Sequence, residues 1–291
     1  MTLRLLAGLS EIAPSYDGFI LDLWGVLHDG AKPLPGVLDA LARLKAAGKR
    51  VAVLSNAPRR AHLVASRMAE IGIAPDLYDH VYSSGEEAWQ QLKRRDDAFY
   101  AALGRRCYHI GPARDDNMLE GIDLERVADI ADAEFMLNTG PSWGWEETVA
   151  DYETLLQAAR ARDVPMVCAN PDLVVIHEGR PAICAGALAQ RYAALGGRVR
   201  WHGKPYPSVY QTCFALLGIA ERRRILAVGD SLRTDIAGAA AAGIDSALVT
   251  GGIHGDELGA PPGELPERAR LTAALDASGH HPTAVIAAFR W

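Results

Sequence analysis

Asp22, Ser55, Lys204, Asp230 and Asp235 are the residues whose types and spacing point to chemistry. The apolar run Phe19-Ile20-Leu21 reads as a short buried strand that stops at Asp22, and Gly25 then allows a tight turn before His28-Asp29-Gly30. A carboxylate at the carboxyl end of a strand lies where ligands bind in open α/β sheets. Read alone, it is more simply a cap for the next turn. A second buried strand, Arg50 to Leu54, ends in Ser55-Asn56-Ala57-Pro58. Ser55 and Asn56 offer a hydroxyl and an amide there, and the helix starting near Arg59 aims its amino terminus at the same region, which favours an anion. An ordinary helix cap has the same appearance. Lys204, in Gly203-Lys204-Pro205-Tyr206-Pro207, is either a fixed positive charge at a strand end or a solvated lysine. The strand Arg224 to Val228 runs into Gly229-Asp230-Ser231-Leu232-Arg233-Thr234-Asp235-Ile236 and then a small-residue helix over 237–243. Two carboxylates flanking a turn make the oxygen-rich pocket that a hard cation such as Mg²⁺ prefers. Such a pair carries weight only because Asp22, Ser55 and Lys204 precede it in order.

The elements that must position these residues alternate strand and helix, which predicts an α/β fold with a mostly parallel sheet covered on both faces. Helical spacing appears over Val37 to Leu44, closed by Gly48, over Arg60 to Glu70, and over Ser208 to Leu217, with a strand near His80 to Ser83. From about Gly85 long polar turns take over, with short strand patterns at Cys107 to Ile110, Glu134 to Leu137, Met166 to Ala169 and Leu173 to Ile176. Helices are expected at Asp123 to Ile130 and Glu147 to Arg162. These make a second α/β domain over 85–185, inserted into a first formed by 1–84 and 186–291. The first resumes with the helix Gly186 to Leu195 and the strand Arg198 to Trp201.

Composition bounds the rest. The chain has 291 residues, 49% of them hydrophobic and 23% charged, as expected of a globular protein with a substantial core. Its net charge of −6 gives no basic footprint for nucleic acid or an anionic membrane. No apolar run reaches membrane-spanning length, and no basic segment followed by an apolar core marks a secretion signal. Cys107, Cys168, Cys184 and Cys213 are widely spaced, without a zinc pattern or CxxC, so buried free thiols in a reducing cytoplasm are expected.

The ordered set Asp22, Ser55, Lys204, and Asp230 with Asp235 resembles the four motifs of the haloacid dehalogenase (HAD) superfamily. The Gly229 to Ile236 stretch, the Gly251-Gly252 after the next strand and the large insertion with Asn170-Pro171-Asp172 are similar to its class IIA branch of small-molecule phosphatases. The resemblance spans about Gly18 to Gly252. It implies a Rossmann-like core, an inserted cap domain, and Mg²⁺-dependent hydrolysis of a small phosphorylated metabolite. By the same resemblance Asp22 is the nucleophile that forms an aspartyl-phosphate, later hydrolysed by water. Asp22, the Trp24 carbonyl, Asp230 and Asp235 would hold Mg²⁺. Ser55 and Lys204 would hold the phosphoryl oxygens, with Asn56 as a further donor. Asn170 and Asp172 would approach the substrate from the cap. Relatives often pair through the cap, which implies a homodimer.

One position departs from the pattern. Phosphatases of this superfamily carry a second aspartate two residues after the nucleophile, and here Trp24 stands there. An indole has one N–H donor and cannot cycle a proton. Loss of a positioned acid/base costs on the order of 10²–10⁴ in rate. Taking Asp29 as the nucleophile does not remove the problem, because Asp29 closes no apolar strand. Three readings stay open: a substitute proton donor (Asp29, His28 or a cap residue), a leaving group that needs little protonation, or a phosphate-binding protein without turnover. Non-phosphatase chemistry such as C–P cleavage is a further alternative. His280-His281, Trp143 and Trp145, His177 and Glu178, and Gly251-Gly252-Ile253-His254-Gly255 read as turns or local packing.

Overall fold

The computed structural model describes residues 3–177, 180–261 and 263–291. The chain forms two compact units, Met1–Ser55 with Val64–Tyr82 and Lys204–Trp291, and Asn56–Leu63 with Ser83–Gly203.

The first unit is built on a sheet whose described strands run in the order Arg4–Leu6, Ala284–Ile286, Asp245–Val249, Ile225–Gly229, Gly18–Leu21, Arg50–Ser55 and His80–Ser83. Parallel pairing joins the first six of them in turn. The two central strands, Gly18–Leu21 and Ile225–Gly229, are buried along their whole length, which is why they read as unbroken apolar runs rather than alternating ones. From this pair the chain winds outward in both directions, through 50–55 to 80–83 on one side and through 245–249 to 284–286 on the other. The switch point therefore lies between strands 18–21 and 225–229, and ligands bind at the carboxyl edge of such a point.

Helix Val37–Ala46 buries Val37, Ala40, Leu41 and Leu44, a single face at helical spacing. Helix Pro207–Leu217 opens with proline at its first turn and stops at Gly218 in the left-handed conformation. It packs Val209, Tyr210, Cys213 and Leu217 against Ile20, Ala52, Leu54, Ile225 and Ala227. Beyond strand 225–229 the chain makes a wide turn over Leu232–Ile236, in which the Ile236 N–H reaches back five residues to the Ser231 carbonyl, before the α-helix Ala237–Ala242. Such π-type turns often sit at functional sites. The strands 4–6 and 284–286 and the helix Arg268–Ser278 were not expected; the two strands have only three residues each.

The second unit has its own parallel sheet, ordered Val199–Trp201, Met166–Cys168, Phe135–Asn138, Arg106–Ile110 and Glu125–Val127. Val174–His177 and Arg180–Ile183 form a separate antiparallel hairpin; Glu178 lies outside the described residues. Four expectations are corrected here. The expected helix 123–130 is the edge strand Glu125–Val127, because pairing with 106–108 outweighs a short run of helical spacing. Helix Ser84–Arg94 occupies the start of the supposed polar region, capped by Ser83. The boundary at 185/186 shifts to 203/204: helix Ala185–Ala194 packs Leu188, Ala189 and Tyr192 with Tyr152 and Leu156, and strand 199–201 pairs with 166–168. The segment 56–63 also belongs to this unit. The helix expected over 147–162 is a 3₁₀ turn at Val149–Tyr152 followed by Glu153–Ala161.

Cys107, Cys168, Cys184 and Cys213 are buried thiols that form no disulfide among the described residues, and burial pushes the Cys107 and Cys168 thiols up to about 12. No helix of the described residues is long and apolar enough to cross a membrane.

Candidate active site

Strand register brings the chemistry together. Leu21 pairs with Val228 on one side and Val53 on the other, so Asp22 and Asp230 follow, and Ser55 closes, three adjacent parallel strands at one edge. Lys204 opens the segment leading into helix 207–217, and Asp235 sits in the wide turn after Asp230. All five residues lie in the first unit.

Asp22 Oδ1 accepts the Leu23 N–H at 2.7 Å and the Lys204 ammonium at 2.5 Å. The same Nζ donates to Asp235 Oδ1 at 2.8 Å. Asp235 Oδ2 accepts the Ser231 N–H at 3.1 Å, and Asp230 Oδ2 accepts the Ile253 N–H at 2.7 Å. Ser55 and Lys204 are buried. Burial alone would lower the lysine, but the Asp22 and Asp235 carboxylates hold it well above its ordinary range, so it is a permanent cation. The Asp230 carboxyl is pushed well above the ordinary range by burial and then by Asp22 and Asp235. Asp235 is pushed up to about 6, again by burial first and Asp22 second.

Asp22, Asp230 and Asp235 each present an oxygen within 4.8 Å of the others. Three carboxylates around one ammonium leave an excess of negative charge, and hard oxygen donors are what Mg²⁺ takes. The donor set therefore fits a divalent cation. Gly25 keeps room for it. Its φ of 77° is left-handed, and a Cβ there would collide with the Asp230 carboxylate.

Trp24 is partly exposed, with its ring edge-on to the His28 imidazole at 5.5 Å and against Gly30. The two nearby substitutes for a proton donor do not serve. His28 is buried; its Nδ1 accepts the Gly30 N–H at 2.8 Å, and burial drives the ring down to about 4. Asp29 accepts the Ala31 and Lys32 N–H groups at 2.9 Å each, which lowers its carboxyl below the ordinary range. One is a neutral imidazole and the other a loop-capping anion at neutral pH.

Asn56, Asn170 and Asp172 belong to the second unit. They form a chain of their own: Asn56 Nδ2 donates to Asp172 Oδ1 at 2.9 Å, and the Asp172 N–H donates to Asn170 Oδ1 at 2.9 Å. Trp143 and Trp145 are exposed, and Trp143 stacks on Tyr152 with centroids 6.5 Å apart. Among the described residues His281 reaches an exposed Asp276 at 3.9 Å. The wide turn at 232–236 and the Ile253 amide that holds Asp230 were not foreseen. Gly251-Gly252 was the available signal for the latter.

Comparison with known proteins gives the family. Profiles described as haloacid dehalogenase-like hydrolase match residues 19–125 and 104–243, and one described as HAD-hydrolase-like matches 201–286. A crystal structure of a haloacid dehalogenase-like hydrolase from Brucella suis is 32% identical, with a TM-score of 0.81 over 99% of this chain and 100% of that one. The chain belongs to the haloacid dehalogenase-like hydrolases, of the class IIA type. It is 29% identical to the D-glycerol 3-phosphate phosphatase of Mycobacterium tuberculosis over 84% of its own length, and spans 66% of that relative. A crystal structure of a glycerol phosphate phosphatase from the same organism, in complex with magnesium, gives 26% identity and a TM-score of 0.64, covering 86% of this chain and 74% of that one.

Proposed function

We propose that this chain is a Mg²⁺-dependent phosphatase of small phosphorylated metabolites, with Asp22 as the nucleophile. The observation that carries the proposal is the placement of Asp22 at the switch point, bonded to Lys204 and grouped with Asp230 and Asp235. Asp22, Asp230, Asp235 and the Trp24 carbonyl would hold the metal. When bound, the ion neutralises the repulsion between Asp22 and an incoming phosphate and polarises the phosphoryl oxygens.

The chain's own groups account for the remaining work. Lys204 and Ser55 bind phosphoryl oxygens and meet the charge that spreads over them in the transition state. The Leu23 N–H and Lys204 fix the Asp22 carboxylate in one orientation. Asp22 oxygen then bonds to phosphorus as the P–O bond to the leaving group breaks, and water later releases phosphate and restores the carboxylate. Asn56, Asn170 and Asp172 serve as substrate contacts from the second unit, which acts as the cap. With Trp24 in the acid/base position and neither His28 nor Asp29 holding an available proton, turnover follows the leaving group. Esters that need little protonation react fastest. A cytoplasmic location, supported by the four buried thiols outside any disulfide among the described residues, and a homodimer through the cap complete the reading.

The test is phosphate release with Mg²⁺ from a panel running from nitrophenyl phosphate to sugar and glycerol phosphates, against Asp22→Asn. Activity graded by leaving group and lost in the variant is expected. Phosphate binding without release from any ester would favour a binding protein instead.

A further inference from the structure

The second unit buries a carboxylate, an imidazole and a phenol in one hydrogen-bonded line. Glu87, on helix 84–94, His202 and Tyr100 are each no more than 5% exposed. His202 Nδ1 lies 2.9 Å from Glu87 Oε2, and its Nε2 meets the Tyr100 hydroxyl. A carboxylate only accepts, so Nδ1 carries the proton toward Glu87 and Nε2 accepts from Tyr100. The same Glu87 oxygen also accepts the Gly203 N–H at 3.1 Å. Gly203 has a left-handed φ of 98°, and a Cβ there would meet Asn56 Oδ1 at 2.5 Å and Ser84 Cβ at 2.8 Å. Ring, amide and backbone of residues 202–203 are thus held from several sides. Burying a carboxylate is costly unless its bonds repay it, and among the described residues those of Glu87 go to the two residues before Lys204.

We propose that Glu87 is a positioning residue for Lys204. It acts through His202 and Gly203, with Tyr100 fixing the far side of the imidazole. Lys204 follows Gly203 through one planar peptide bond, so an anchored Gly203 limits where the Lys204 backbone begins. Its ammonium must meet Asp22 at 2.5 Å and Asp235 at 2.8 Å while still reaching a phosphoryl oxygen. A shift of about 1 Å in a group that meets transition-state charge can cost on the order of 10²-fold in rate. The inference rests on the reading above, in which Lys204 binds the phosphoryl group.

Glu87→Ala, His202→Asn and Tyr100→Phe are compared with the unchanged chain. The readouts are kcat and KM with nitrophenyl phosphate, melting temperature, and inhibition by orthovanadate and inorganic phosphate. Orthovanadate mimics the transition state and phosphate the ground state. The expected result is a loss in kcat on the order of 10²-fold for Glu87→Ala, larger than the change in KM, with vanadate affinity falling more than phosphate affinity. Tyr100→Phe, which removes only the far link, shows the smallest loss. A purely structural network lowers the melting temperature and leaves kcat per folded molecule and the vanadate-to-phosphate ratio unchanged. That outcome in Glu87→Ala, or in His202→Asn if Glu87→Ala does not fold, overturns the proposal. Failure of the phosphatase reading shows separately, as an unchanged chain that releases no phosphate. Calorimetric vanadate binding by the same variants then still reads the placement of Lys204, and absence of vanadate binding to the unchanged chain overturns both.

Discussion

At the scale of single residues, function depends on where a few charges end up. Asp22, Ser55 and Asp230 were legible because each closes an apolar run, and parallel register turns that shared sequence feature into a shared edge. Lys204 could be read either way from sequence. Only the structure shows it buried between two carboxylates, a placement made by residues 182 and 31 positions away that no local pattern encodes. Trp24 leads to the sharpest prediction at this scale. Trp24→Asp supplies the missing acid/base, so kcat for glycerol phosphate should rise by on the order of 10²–10⁴, while nitrophenyl phosphate gains far less. Steady-state kinetics on the two esters checks this; equal gains on both would mean that protonation is not what position 24 limits.

At the scale of elements, the sequence shows the long central strands better than it shows several short ones. The central strands were read nearly to the residue, whereas the three-residue strands 4–6 and 284–286 were missed and 125–127 was taken for helix. Three residues carry too little periodicity to reveal a strand, so 284–286, which lies inside the sheet between 4–6 and 245–249, is as hard to read as the edge strands 4–6 and 125–127. The domain boundary failed for a related reason. Helix 185–194 has the same local pattern whichever sheet it covers, and its packing with Tyr152 and Leu156 decides. Helix 84–94 also joins the 56–63 segment to its unit through Glu86, which accepts from Arg60 Nε at 2.7 Å, the Ala61 N–H at 3.1 Å and Gln90 at 3.2 Å. Burial opposes ionisation of Glu86, yet these donors hold its carboxyl below the ordinary 4.5. A depressed carboxyl contributes stability that is fully present above its ordinary pKa and disappears as the pH falls through its folded value. Glu86→Gln should therefore cost about 1–3 kcal/mol at neutral pH, and the gap to the unchanged chain should close in acid. Denaturant melts from neutral pH down to below the carboxylate range measure that gap; a gap independent of pH would contradict the ion pair.

At the scale of the whole molecule, the first unit folds around a concentration of like charge. Asp230 is the extreme case, pushed well up by burial and by Asp22 and Asp235. Without metal, Asp230→Asn should raise the melting temperature, because it removes a buried repulsion and keeps an acceptor for the Ile253 N–H. Mg²⁺ should stabilise the unchanged chain, by about 2.7 kcal/mol at roughly a hundredfold excess over Kd, and Asp230→Asn little. Thermal melts with and without Mg²⁺ test both halves, and a variant that melts lower in the absence of metal and still responds to Mg²⁺ would contradict the charge argument. The central claim, that Asp22 becomes phosphorylated, is tested most directly by quenching the enzyme during turnover of nitrophenyl phosphate with borohydride and mapping residue 22 by mass spectrometry. Borohydride reduces an acyl phosphate to the alcohol, so the account predicts homoserine at position 22, only when ester and Mg²⁺ are both present. Sustained phosphate release with Asp22 intact after the same quench would contradict it.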